Sequence, residues 1–156
     1  MTKRLVTLLL IAITTIVAAH AIERPPLAVG FTYDYAFKHQ QHGFGLKLQT
    51  RVFKSFRLEP EFIYCNEHKD VTTLHLNLNL HNVRPITPRL NLYPFMGLAY
   101  SHWGYVGPNA NRWGVNLGAG LEYYLGRNWS ALTELRLHGV KRETQLIYTL
   151  GLKYDF

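Results

Sequence analysis

The chain of 156 residues has a single cysteine, Cys65, so no internal disulfide can staple it. After the uncharged stretch from Leu5 to Ala18, no segment reaches the roughly 20 apolar residues that a membrane helix needs. If the mature protein enters a membrane, it must therefore do so as a closed sheet. Basic residues never form a run, so the formal charge of +7 points away from nucleic acid. There is no low-complexity tract, no linker, no internal repeat beyond a strand period and no cysteine-histidine spacing of the structural zinc kind.

What is present begins with Lys3 and Arg4, the uncharged run, and the small residues Ala19-His20-Ala21. This order predicts a secretory signal peptide over 1–21, cleaved after Ala21. No lipoprotein cysteine follows it, and residues 22–156 form one domain. Two positive charges leave with the signal, and the dispersed remainder suits anionic head groups of a bacterial surface.

Eight segments then alternate strictly. Val29, Phe31, Tyr33 and Tyr35 share one face against Ala28, Gly30, Thr32 and Asp34; Phe44, Leu46 and Leu48 oppose Gly45, Lys47, Gln49 and Arg51. Leu58 and Phe62 oppose Arg57, Glu59, Glu61 and Cys65, and Leu74 to Leu80 oppose His75, Asn77, Asn79 and His81. Leu90, Leu92, Met96 and Leu98 oppose Arg89, Asn91, Phe95 and Gly97; Val115 to Tyr123 oppose Asn116, Gly118, Gly120 and Glu122. Leu135 and Leu137 oppose Glu134 and Arg136, and in the last segment Tyr148, Leu150, Leu152, Tyr154 and Phe156 oppose Lys153 and Asp155. No charge falls on any apolar face, as lipid exposure requires, because Arg or Lys at mid-bilayer costs about 2–4 kcal/mol.

The expected fold is all-β: an eight-stranded antiparallel up-and-down transmembrane β-barrel with both termini periplasmic. Its interior would hold Lys47, Arg51, Arg57, Arg89, Arg136 and Lys153 against Asp34, Glu59, Glu61, Glu122, Glu134 and Asp155. A barrel of eight strands is just wide enough for side chains to fill, so these charges read as a plugging ion-pair network, with a narrow pore as the alternative. Lys54-Ser55, Arg84 to Pro88 and Gly126 to Asn128 read as tight periplasmic turns. His39 to His42, Asn66 to Asp70, His102 to Arg112 and Gly139 to Glu143 read as outer loops. Trp103, Tyr105 and Trp113 at the outer end, and Phe53, Phe56, Trp129, Tyr154 and Phe156 at the other, predict two aromatic girdles. Pro60 and Pro94, both on the outward face, predict a bulge or a gap in strand pairing.

Two chemistries are weighed against this frame. A lipid-modifying enzyme needs a serine, a histidine and a carboxylate together at the outer rim, facing lipid. Ser130 lies eight residues from His138, too far along a strand at about 3.3 Å per residue. Ser101 and His102 point to opposite faces. His39, His42 and His68, near Glu67 and Asp70, are metal candidates of the weakest kind, being loop residues without fixed spacing. No catalytic residue and no cofactor is expected.

Leu58-Glu59-Pro60-Glu61-Phe62-Ile63-Tyr64, Tyr93-Pro94-Phe95-Met96-Gly97-Leu98-Ala99-Tyr100 and Gly118-Ala119-Gly120-Leu121-Glu122-Tyr123-Tyr124 resemble strand phrases of small outer-membrane β-barrel proteins, the OmpA/OmpX-like group with its porin-family β-barrel domain. The terminal strand, with Tyr148, Leu150, Leu152, Tyr154 and Phe156, resembles the signal by which such barrels are recognised for insertion. The resemblance implies outer-membrane localisation, contact with outer-membrane lipid and lipopolysaccharide, and handling by the barrel assembly machinery. Members serve as anchors, adhesion or serum-resistance proteins, and occasionally lipid A or phospholipid-modifying enzymes. Short outer loops and the absence of a further domain after the barrel lead to the expectation of a structural or interaction role, with the barrel wall packed against a larger outer-membrane complex.

Overall fold

The computed structural model describes residues 27–68, 71–105, 110–141 and 143–156; the segment read as a signal peptide lies outside them. Nine antiparallel segments follow one another: β1 (Leu27–Ala36), β2 (Gln41–Phe53), β3 (Phe56–His68), β4 (Val71–Asn82), β5 (Arg84–Thr87), β6 (Leu90–Tyr105), β7 (Ala110–Tyr124), β8 (Trp129–Val140) and β9 (Glu143–Asp155). Apart from β4 and β5, which do not pair with each other, consecutive segments pair, and β1 pairs with β9 from Ala28↔Asp155 to Ala36↔Ile147, which closes the sheet. Because β4 and β5 both pair with β6, they are two parts of one wall strand. The result is an eight-stranded up-and-down barrel without an open edge.

The period of two drives this closure, since it gives each strand one apolar and one polar face. Phe31, Leu46, Leu98, Val115 and Leu152 project outward and are exposed, while Lys47, Glu59, Asn79 and Arg136 on the opposite face are fully buried. Among the described strand residues, no Lys, Arg, Asp or Glu occupies an outward position. The chain thus has an apolar exterior and a polar core, the inverse of a water-soluble sandwich.

Both prolines make gaps rather than bulges. Pairing of β2 with β3 runs to Lys47↔Glu61 and resumes at Thr50↔Leu58 in the same register, leaving out Pro60, which has no amide to donate. Pairing with β6 runs to His81↔Phe95 and resumes at Arg84↔Leu92, leaving out Pro94. That second gap is what divides β4 from β5, while on the other side the Val83 amide continues the β3–β4 register by donating to the Ser55 carbonyl at 2.7 Å.

Three expectations need correction. Arg84 to Pro88 is not simply a turn: Arg84–Thr87 is β5, and Arg84 is buried. Strands extend into the span read as the longest loop, because β6 reaches Tyr105, β7 starts at Ala110, and Trp103 pairs with Ala110. Trp103 does not join the outer girdle, since its position on β6 turns it into the lumen, where it is 1% exposed. Trp113 does face outward, at 71%.

Candidate functional site

Among the described residues, most of the buried polar and charged side chains collect in the lumen, and aromatic rings determine how much room they have. Tyr93 and Phe95 point inward from β6 toward the glycines of β7. A Cβ at Gly118 would lie 2.6 Å from the Phe95 ring, and one at Gly120 would collide with the Tyr93 ring. Glycine at these two positions therefore lets aromatic side chains lie across the interior. His81 stacks on Tyr93 with ring centroids 4.9 Å apart. Arg57 and Arg136 lie over Tyr93 and Phe95 at 5.5 and 5.7 Å.

At mid-height, β2, β3 and β8 converge on Lys47. Its ammonium is 3.2 Å from Glu59, 3.1 Å from Glu61 and 2.6 Å from Glu134. Arg136 grips Glu61 through two nitrogens at 2.5 and 2.9 Å and reaches Glu134 at 3.3 Å. Neutral donors complete the shell: Gln49 donates to the second oxygen of Glu59 at 2.6 Å, the Tyr93 hydroxyl to the second oxygen of Glu134 at 2.9 Å, and Asn77 to the Glu61 oxygen that Arg136 also holds, at 2.9 Å. Each of these five charged side chains is fully buried. Burial of this kind is tolerated only when every charge has close partners.

Nearer the end that carries the short turns, Glu122 accepts from Arg57 at 3.2 Å and pairs with Lys153, which also lies 3.2 Å from Asp155. Asp34 stands apart, held by the hydroxyls of Thr32 at 2.9 Å and Thr149. Two of the interior candidates differ from expectation. Arg51 is only half-buried, opposite Arg57 in the ladder, and Arg89 is exposed in the turn before β6.

The outer half holds a hydrogen-bonded chain of serine, histidine and asparagine side chains. Ser101 Oγ is 2.7 Å from His75 Nδ1 and 3.0 Å from His138 Nε2, and His138 Nδ1 is 2.7 Å from Asn116 Oδ1. The Asn116 amide then donates to Asn77 and Asn79 at 3.0 and 3.1 Å. Serine, histidine and asparagine are thus ordered as in an activated nucleophile, yet Ser101 is completely buried and faces the lumen. Sequence reasoning missed this pairing because β7 lies between β6 and β8, so their meeting depends on strand stagger. Ser130 sits at the opposite end, 3.3 Å from Asp155, and His102 points outward to Asn111 at 2.6 Å.

Above this chain, Glu143 is gripped by Lys38 at 3.3 Å, His39 at 2.5 Å and Arg112 at 3.0 Å, with Trp103 packed against His39 and Arg112. Glu143 lies at the outer hairpin end; burial pushes its carboxyl up, but His39 and Lys38 outweigh this and hold it below the usual carboxylate range. Of the loop histidines, His39 turns inward to Glu143, whereas His42 bonds the Tyr33 hydroxyl on the outer wall; the side chain of His68 lies outside the described residues. The loops therefore do not bring His39 and His42 together. The metal-ligand types that do meet among the described residues are Glu59, His81 and Glu134, with ligand atoms within 4.8 Å of one another. Lys47 already supplies a cation to both carboxylates.

No protein-family model matches the chain, and no curated protein is similar to it in sequence. Solved structures share its fold. The N-terminal β-barrel domain of Pseudomonas aeruginosa OprF superimposes with a TM-score of 0.72 at 18% identity, over 86% of this chain and 100% of that one. Ail, the attachment invasion locus protein of Yersinia pestis, gives 0.62 at 16% identity over 86% and 100%. Neisserial surface protein A gives 0.56 at 12% identity over 83% and 94%. At these identities the likeness establishes the fold: that of small eight-stranded outer-membrane barrels.

Proposed function

We propose that this chain is an integral outer-membrane barrel with a non-enzymatic structural or interaction role, its lumen closed by the ion-pair and aromatic column. The observation that carries this reading is the complete burial of Lys47, Glu59, Glu61, Glu134 and Arg136 in one cross-section, packed against Tyr93 and Phe95. A lumen filled in this way supports neither conduction nor entry of a substrate, which leaves the rims and the apolar wall as working surfaces. Outer-membrane lipid and lipopolysaccharide contact that wall, and a larger outer-membrane complex is the partner expected there. Tyr148, Leu150 and Leu152, exposed along β9, the half-exposed Tyr154 and the exposed Phe156 just beyond the strand present it to the assembly machinery during insertion.

Planar bilayers containing the purified barrel should show no steady conductance, and the protein should migrate differently on gels before and after boiling. Steady channel currents would replace this reading with a pore. In mild detergent, a native mass above the monomer supports the complex, and a strict monomer removes that clause.

The Ser101–His138–Asn116 geometry favours a second reading, a lipid-modifying enzyme. Burial of the hydroxyl opposes it, because an acyl carbonyl must come within about 3–3.5 Å of the attacking oxygen. Ser101→Ala should leave lipid A and phospholipid acylation unchanged; an altered lipid profile would establish the enzyme.

A further inference from the structure

The end of the barrel that carries the short turns is basic in a particular way. Three turns close it, between β2 and β3, β5 and β6, and β7 and β8, and each presents one exposed cation: Lys54, Arg89 and Arg127. None of these turns contains Asp or Glu. The side-chain carboxylates nearest this rim, Glu122 and Asp155, face the lumen and are already engaged by Arg57 and Lys153. The outer rim differs, because there Glu143 draws in Lys38, His39 and Arg112, while Lys141 in the turn after β8 is exposed. Lys54, Arg89 and Arg127 therefore make a ring of open positive charge, one on every second hairpin position around the circumference.

Aromatic side chains mark the depth of this ring. Phe53, Trp129 and Phe156 are exposed at 64, 51 and 62% on the wall at the same end, and the Lys54 ammonium lies 5.9 Å from the Phe53 ring centroid. Of the rings at this end, Trp129 and the half-exposed Tyr154 packed 5.2 Å from it are amphipathic and settle at head-group level, so the cations lie at or just beyond the lipid phosphates. A protein partner would find charge concentrated on one side, whereas these three are spread around the rim, which suits a surrounding leaflet.

We propose that this rim selects anionic glycerophospholipids of the inner leaflet, with Lys54, Arg89 and Arg127 each holding a head-group phosphate. The proposal rests on the membrane-barrel reading above. It follows from charge complementarity, since a basic side chain near an anionic surface enriches that lipid about fivefold.

The test uses the full-length barrel in phosphatidylcholine vesicles, with spin-labelled phosphatidylglycerol or phosphatidylcholine as the probe and electron paramagnetic resonance as the readout. The motionally restricted fraction should favour phosphatidylglycerol, with the enrichment of about fivefold confined to the lipids beside the three cations and diluted by the rest of the shell, and the preference should weaken with salt. The triple variant K54Q/R89Q/R127Q should lose it, and the outer-rim variant K38Q/K141Q should keep it. Equal selectivity in the triple variant, no selectivity in the unaltered protein, or removal of selectivity by inorganic phosphate where sodium chloride of the same ionic strength leaves it intact would overturn the proposal. So would loss of peptidoglycan co-sedimentation in the triple variant without any change in lipid preference. Gel migration before and after boiling, measured on each variant, separates these results from failure to form a barrel at all.

Discussion

Lys47 and Lys54 lie on the same strand and turn, seven residues apart, and their surroundings could hardly differ more. Lys47 is without solvent exposure and has three carboxylates within 3.2 Å. Lys54 stands exposed beyond the end of β2 with a phenyl ring beneath it. The side chain is identical, so the difference is made by water: in the dry cross-section a missing charge cannot be replaced by solvent, whereas at the rim it can. The barrel thus uses basic residues in two ways, as internal fasteners and as a surface that meets other molecules.

The sharpest way to break this comparison is to remove the inner lysine. Lys47→Met leaves Glu61 and Glu134 with the Arg136 guanidinium and Glu59 with the His81 ring alone and should cost about 3–5 kcal/mol, read as the urea midpoint of the folded barrel in vesicles. Adding Glu134→Gln should recover part of the loss by removing one uncompensated carboxylate. Lys54→Gln should leave the midpoint where it was. Equal losses at the two lysines would mean that water reaches the central layer, and the closed-lumen reading would fall with it.

A smaller effect is expected from the glycines, which divide in the same manner. Gly120→Ala forces the Tyr93 ring aside and with it the bond from Tyr93 to Glu134; overpacking of this kind costs about 1–3 kcal/mol. Gly126, in the turn after β7, has nothing within 4 Å of an added Cβ. Gly126→Ala should therefore be tolerated, and comparing the two midpoints tests whether the aromatic column rather than the turn holds the barrel.

The wall was legible in the sequence because lipid imposes a period of two on every strand, and the parity of Leu46, Lys47 and Leu48 needs no knowledge of neighbours. What crosses the lumen was not, because it depends on stagger between strands that are not adjacent. Lys47 on β2 meets Glu134 on β8, and Ser101 on β6 meets His138 on β8, and no local pattern encodes either meeting. Local chemistry also misled at three places. Pro85 and Pro88 made β5 look like a turn, although β5 is held to β6 through Arg84↔Leu92. Trp103 looked interfacial by type and by its place near a loop, but its parity puts it on the inward face with Ser101. Arg89 fitted the inward parity of β6 but lies in the turn just before it.

The two proline gaps offer the finest test of how far the wall tolerates what the lumen does not. Pro60 interrupts β2–β3 pairing without shifting its register, so the strand positions are already those of a continuous ladder. Pro60→Ala restores an amide that can donate across to β2, a bond worth about 0.5–1.5 kcal/mol. Losing proline enlarges the unfolded ensemble and takes back about 0.4–1 kcal/mol. The two terms nearly cancel, so the urea midpoint should barely move. Amide hydrogen exchange resolves what the midpoint cannot: the new amide at position 60 should exchange as slowly as its strand neighbours. Fast exchange there would show that the β2–β3 seam is held open by packing rather than by the missing donor.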